Sequence, residues 1–336
     1  MRFGLPIPVL AFLAMLPSLT AHGEDAAARV LTSGSLSAEV MEPNHPDRYN
    51  RGVRFTPVAA VLGIALAGQS YLYAPKEHDP VADHGGLASE FDLCIPGGPE
   101  ADLPPGYAEA REGEGFLKIG VGVLRKEKKT YNLFQKSEVI EPAKTTVSWG
   151  PDSAAFRQTC GGVNGYAYEL AATVTVRDDE VSVDWKLTNT GTKPFLTKHY
   201  THNFFRFGDR DAGYALSFPY DFQAEGLESG QKQDGRDILF VGAIPKWINA
   251  LVRPPADYTG PNAFVLRDTV TGQSVRCETS APGLFTAIHA RKNYIAPEQF
   301  IAIALAPGES KTWRRSYVFA NGNAPQSGMG NMPSSH

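Results

Sequence analysis

A two-residue alternation of apolar and polar side chains recurs in short runs along nearly the whole chain, and it constrains the fold more than any other feature. In residues 180–187 (EVSVDWKL), Val181, Val183, Trp185 and Leu187 share one face, Ser182, Asp184 and Lys186 share the other, and Asn189-Thr190-Gly191 follows as a turn. Successive side chains of a strand point to opposite faces, so the pattern predicts a half-buried antiparallel strand. Residues 116–124 (FLKIGVGVL) alternate through Leu117, Ile119, Val121 and Val123 and read as one strand with glycines on its opposite face. Further strands are predicted at 36–41, 53–55, 58–64, 145–149, 168–176, 200–207, 215–218, 263–268, 284–290, 300–305 and 312–319. Nowhere do apolar residues keep helical spacing for three uninterrupted turns. The 33 glycines and 25 prolines are spread through the chain and supply the turns that so many short elements need. The expectation is an all-β protein: two large packed antiparallel sheets, or a barrel.

Composition removes several classes of function. With 32 Lys and Arg against 36 Asp and Glu, the net charge is -4, and no basic run interrupts the balance. The electrostatic footprint of a nucleic-acid binder is missing, so no nucleic-acid partner is expected. Residues 1–23 carry Arg2, an apolar run over 5–16 and small residues at Ala21 and Gly23, which together read as a secretory signal peptide. No later stretch approaches the roughly 20 apolar residues of a bilayer span, so no integral membrane segment is expected after cleavage and the protein is expected to be periplasmic or secreted. A single domain is expected over 31–319, a disordered tail over 320–336, and a long exposed loop over 96–115. Cys94, Cys160 and Cys277 are too few for a disulfide framework; one disulfide with one free thiol, or three buried thiols, both fit. Oligomeric state is left open.

Motif reading narrows the chemistry further. The chain has no Gly-x-Ser-x-Gly elbow, His-Glu-x-x-His pair, phosphate-binding P-loop or dinucleotide fingerprint. Asp209 and Asp211 in GDRDAG lack the later ligands of a calcium loop and read as a hairpin turn. His199 and His202 lie three apart on a predicted strand, so their rings point to opposite faces and do not converge on one ion. Neither metal nor cofactor is implied. Trp149, Trp185, Trp247 and Trp313 are expected in the core and not as sugar platforms, with Trp247 in the loop-like IPKWIN stretch the best exception. Two segments stand out: HYTHNFF, which sets His202 and Asn203 in an aromatic strand after the Asn-Thr-Gly turn, and Pro297-Glu298-Gln299, which precedes an apolar strand and a Leu-Ala-Pro-Gly-Glu turn. An imidazole and a carboxyl in such apolar surroundings are expected to have perturbed proton affinities.

The order of these segments, with the closing Tyr-Val-Phe strand, resembles the aldose 1-epimerases, or galactose mutarotases, over roughly 31–319. The resemblance implies a galactose mutarotase-like β-sandwich in which His202 is the general acid and Glu298 the general base. Arg51 and Arg54 in NRGVRF resemble the family's substrate-binding arginine region, and His84-Gly85-Gly86 resembles its His-Gly-Gly segment. Glu90 and Asn203 join these as candidate substrate-binding residues, and Tyr200 or Phe205 as a platform for a sugar face. The chain departs from the family pattern in having Thr201 before His202 and Pro297 before Glu298, and its equivalent of the family's additional sugar-binding Asp is not evident. The implied partner is a sugar or oligosaccharide. The implied chemistry takes a proton from the anomeric hydroxyl by a Glu298 carboxylate while a His202 imidazolium donates to the ring oxygen. Alternative readings on the same fold are a noncatalytic carbohydrate-binding sandwich and a polysaccharide lyase or hydrolase.

Overall fold

The computed structural model describes residues 27–45, 52–73, 75, 85–92, 103–244 and 247–322. In chain order the strands are β1 (Ala28–Ser33), β2 (Leu36–Met41), β3 (Val61–Leu66), β4 (Gln69–Ser70), β5 (Leu87–Phe91), β6 (Gly115–Lys118), β7 (Gly122–Arg125), β8 (Val139–Pro142), β9 (Lys144–Trp149), β10 (Ser153–Val163) and β11 (Tyr166–Arg177). They continue as β12 (Glu180–Asn189), β13 (Phe195–Asn203), β14 (Tyr214–Ser217), β15 (Gln231–Asp234), β16 (Asp237–Phe240), β17 (Ile248–Val252), β18 (Asn262–Asp268), β19 (Ser274–Thr279), β20 (Phe285–Arg291), β21 (Tyr294–Leu305) and β22 (Ser310–Ala320). The described residues contain no helix. The site sheet runs β1-β2-β3-β5-β13-β21-β20-β17, with β4 beside β3; a second sheet runs β15-β16-β14-β18-β19-β22-β12-β11-β10-β9; and β6, β7 and β8 form a small third one. Every paired strand is antiparallel, as the alternating pattern predicts.

The two large sheets bury their facing sides in one core. Phe91 from β5 meets Trp185 from β12 and Trp313 from β22, whose rings stack at 6.0 Å. Alternation made this core legible: Val181, Val183, Trp185 and Leu187 are all buried. Three expectations need correction. Residues 116–124 are the hairpin β6–β7, not one strand, because Gly120 (φ +88°) and Gly122 (φ +141°) adopt conformations closed to other residues. A Cβ on Gly122 would sit 2.2 Å from the Glu141 carbonyl oxygen. Residues 53–55 form turns instead of a strand. The described part of the expected exposed loop is also turns, but Pro104, Pro105 and Tyr107 are buried, with Tyr107 packing edge-on against Phe116. Strands β1, β4, β5, β8, β10, β15, β16, β17 and β19 lie outside the expected set; on β10 the buried face includes the polar Gln158, which breaks the apolar count. Cys160 and Cys277 are buried free thiols, and Cys94 lies outside the described residues.

Candidate active site

Strand β13 sorts its side chains by parity. His199, Thr201 and Asn203 point between the two large sheets, while Tyr200 and His202 point to the outer face of the site sheet. The His199 ring lies 5.1 Å from Trp185, 4.8 Å from Trp313 and 4.7 Å from Phe91. Among the described residues its two ring nitrogens have no hydrogen-bond partner, and burial, with the charge of Arg315, holds its proton affinity well below the usual histidine range. His199 and His202 are thus separated by the sheet itself.

The pairing of β13 with β21 explains why His202 and Glu298 meet. The register runs from Phe195↔Leu305 to His199↔Ile301 and returns unchanged at the bridge Phe205↔Ile295, which sets His202 directly across from Glu298. Between those points Pro297 has no N–H to give the ladder, and the Asn203 side-chain amide donates to the Pro297 carbonyl at 2.5 Å. The Asn203 Oδ1 accepts from the Tyr317 hydroxyl at 3.0 Å. Asn203, expected to hold sugar, therefore sits on the core side as a fully buried clamp between β13 and β21. Phe205, for the same reason of parity, is a core residue and no sugar platform.

His202 Nδ1 and Glu298 Oε1 approach to 2.8 Å, and each residue is 5% exposed. Cross-strand neighbours on one face of a sheet are about 5 Å apart at Cβ, so direct contact follows from the register. The alanines Ala88 and Ala287 oppose the pair on β5 and β20, keeping both flanks low. Phe204 stacks on the His202 ring at 4.2 Å, and Phe55 meets it edge-on at 5.9 Å. Burial pushes the Glu298 carboxyl up to about 8, against the pull of His289 and Arg54 and with a small push from Glu90. Burial and the charge of Arg54 hold His202 well below the usual histidine range, with Glu90 opposing. Desolvation outweighs the attraction between imidazolium and carboxylate, so at neutral pH the pair holds one proton and the carboxyl carries it. That reverses the protonation expected from the sequence, in which Glu298 was ionised and His202 charged.

Glu90 lies one step along, opposite Tyr200 on β13. Arg54 donates to Glu90 Oε2 from Nε at 3.2 Å and from its terminal nitrogen at 3.0 Å, and the Tyr200 hydroxyl donates to the same oxygen at 2.5 Å. Lys118 from β6 donates to Oε1 at 2.9 Å and also reaches Asp92, which the Tyr131 hydroxyl contacts. Burial alone would raise the Glu90 carboxyl, but Arg54, Lys118 and Tyr200 hold it down at about 2. Glu90 is wholly buried and saturated with donors, so it anchors Arg54 and does not line the surface as expected. The Arg54 guanidinium lies between the rings of Phe55 and Phe134, at 4.7 and 4.8 Å. Arg51 and His84 lie outside the described residues.

A third imidazole escaped sequence reading. His289 on β20 stands 5.7 Å from His202, ring edge to ring face. Its Nδ1 pairs with Asn249 Oδ1 at 2.7 Å and its Nε2 with the Tyr294 hydroxyl at 3.1 Å. Asn249 Oδ1 can only accept, so Nδ1 carries the proton and Nε2 accepts from Tyr294. Burial and His202 push His289 down to about 4, and burial pushes Tyr294 up to about 12. Tyr294 and Glu298 share parity in NYIAPEQ, a signal the sequence did carry; the reversal at Lys292-Asn293 that returns His289 to the same face was not read. Among the described residues no three His, Cys, Asp or Glu side chains cluster so as to hold a metal ion.

No family model and no curated protein matches this chain. Solved structures do. A protein from Synechocystis sp. PCC 6803, Slr1438, superposes with a TM-score of 0.58 at 12% identity, covering 88% of this chain and 96% of its own. A galactose 1-epimerase from Lactobacillus acidophilus NCFM gives 0.53 at 11% identity, covering 88% and 94%. A putative aldose 1-epimerase from Escherichia coli K12 gives 0.51 at 17% identity, covering 88% and 99%. With two sheets in this order, and neighbours that are aldose 1-epimerase and galactose mutarotase-like proteins, the chain has the galactose mutarotase-like β-sandwich fold.

Proposed function

We propose that this protein is an exported carbohydrate-active enzyme that interconverts the anomers of a sugar by acid–base catalysis at His202 and Glu298. The observation that carries the reading is the buried 2.8 Å contact between imidazole and carboxyl on the outer face of the site sheet. Export rests on the leader-like residues 1–23.

Ring opening of a cyclic sugar needs a proton delivered to the ring oxygen and another removed from the anomeric hydroxyl. The pair holds one proton and one vacant basic site, which is the inventory the reaction needs. Glu298, protonated at neutral pH, donates to the ring oxygen; neutral His202 accepts from the anomeric hydroxyl. Rotation about the C1–C2 bond and closure on the other carbonyl face return both protons. With Oε1 turned to His202 Nδ1, the second carboxyl oxygen of Glu298 is the atom left to meet the sugar. Arg54, held by Glu90, adds a fixed positive charge beside the pair, which stabilises oxyanion character at O1. A positioned acid or base contributes on the order of 100- to 10,000-fold.

The test is polarimetry or NMR of freshly dissolved α-glucose and α-galactose with the purified protein. Catalysed approach to anomeric equilibrium, lost in Glu298→Gln at unchanged fold, supports the reading. Binding of the sugars with no acceleration leaves a noncatalytic carbohydrate-binding sandwich, and new unsaturated ends absorbing in the ultraviolet from a uronic-acid polymer identify a lyase.

A further inference from the structure

The stretch of β21 that carries Glu298 is held from the second sheet. Toward β13, β21 pairs from Phe195↔Leu305 to His199↔Ile301 and next at the bridge Phe205↔Ile295, so residues 296–300 have no ladder pair on that side. Two carbonyls of this stretch go to side chains instead. Asn203 donates to the Pro297 carbonyl at 2.5 Å and accepts from the Tyr317 hydroxyl at 3.0 Å. On the other flank of Glu298, Arg315 donates to the Gln299 carbonyl at 2.7 Å and to the Thr279 hydroxyl at 3.0 Å. The Gln299 side chain is fixed as well: its amide donates to the Asn262 carbonyl at 2.8 Å, and its oxygen accepts from the Thr279 hydroxyl at 3.2 Å. Arg315 and Tyr317 lie two apart on β22, so one face of the second sheet reaches across the core to both residues that flank Glu298.

Packing alone does not account for Arg315. Two arginines are buried among the described residues: Arg54 is paired with Glu90, whereas Arg315, wholly buried, contacts no carboxylate there. Its Nε has no hydrogen-bond partner among the described residues either. A buried cation without a counter-ion is costly, and an apolar side chain of similar volume would fill the same core at lower cost. What the guanidinium adds is a strong, charge-assisted donor at one fixed carbonyl. Glu298 needs such a hold, because a drift of about 1 Å takes its 2.8 Å contact with His202 beyond hydrogen-bond reach.

We propose that Arg315 and Tyr317 are positioning residues for Glu298: Arg315 directly, and Tyr317 through Asn203, they hold the carbonyls of Gln299 and Pro297 and so keep the carboxyl against His202. The proposal rests on the acid–base reading of the His202–Glu298 pair and adds two residues that touch neither the pair nor the sugar. Losing either hold frees the stretch to shift on the side where no β13 ladder pair resists it. The loss then falls on proton transfer and not on sugar binding.

The experiment combines anomer-interconversion kinetics on glucose and galactose with imidazole nitrogen NMR of the histidine-labelled full chain, for the wild type, Arg315→Met, Arg315→Lys and Tyr317→Phe. The His202 signal is assigned by its loss in His202→Gln. In Arg315→Met, kcat is expected to fall on the order of 10- to 100-fold with KM within about twofold of the wild type. Tyr317→Phe, which removes one hydroxyl, is expected to lower kcat severalfold at the same KM. In both, the His202 Nδ1 signal moves toward its position in Glu298→Ala, a change that looser packing elsewhere in the core does not produce. Arg315→Lys keeps the charge and a donor and is expected to recover most of the loss. An unmoved Nδ1 signal in either folded variant removes that residue from the role whatever its rate, and a raised KM at unchanged kcat does the same. Should Arg315→Met fail to fold, Tyr317→Phe decides by the same two readings. A wild type that does not accelerate interconversion overturns the proposed function, and the Nδ1 signal then decides the positioning by itself.

Discussion

Replacing Glu298 by Gln keeps the shape of the side chain and removes its titration, and the structure sets the size of the effect. A carboxyl with an ordinary value of 4.5 is held at about 8 by burial. The raised group contributes stability that is fully present below pH 4.5 and is lost as pH climbs to about 8, because over that window the unfolded chain releases a proton that the native state keeps. Each pH unit of the window is worth about 1.4 kcal/mol, so the wild type should lose on the order of 5 kcal/mol relative to Glu298→Gln between its two ends. Urea denaturation of both proteins at several pH values from about 4.5 to 9 reads this directly. Subtracting one curve from the other cancels the histidines, which titrate in both. A difference that grows with pH and levels off near 8 supports a neutral carboxyl in the native protein. A difference that stays flat would refute the reasoning, since it would mean that Glu298 is ionised in the folded state throughout.

Other perturbations test separate parts of the molecule. His202→Gln should slow catalysed anomer interconversion on the order of 100- to 10,000-fold in a polarimetric assay, with little change in the melting temperature. Glu90→Gln leaves Arg54 and Lys118 buried with one carboxylate fewer and should cost about 3–5 kcal/mol in chemical denaturation; a loss under 1 kcal/mol would mean the two cations find other partners. His199, held neutral in the core, contributes stability that is present above its ordinary value of 6.5 and lost as pH falls below it. The wild type should therefore weaken relative to His199→Leu by about 2 kcal/mol between pH 6.5 and 5, and parallel denaturation midpoints across that range would show that His199 does not stay neutral.

The sequence carried the strands and their faces, because period-2 alternation reports which side of a sheet each residue occupies. It placed Trp185 and Trp313 in the core and put His199 and His202 on opposite faces. It failed where glycine conformation decided the path, as at Gly120 and Gly122, and where a buried face is polar, as on β10 with Gln158. At the site, the resemblance pointed to His202 and Glu298, but only the β13–β21 register shows that they touch, and register between strands distant in sequence leaves no local signal. Asn203 and Glu90 were misjudged for a related reason: their residue types suit sugar binding, yet one serves the carbonyl of Pro297 and the other the charge of Arg54. Lys118 and His289 were missed because their partners come from other strands and loops.

The account stands on His202 and Glu298 transferring protons as one unit, and a double-variant cycle measured by magnetisation exchange between sugar anomers tests that most directly. If the two groups act together, His202→Gln, Glu298→Gln and the double variant should all fall to nearly the same residual rate. Independent losses that multiply in the double variant, or a wild-type rate no faster than buffer, would contradict it.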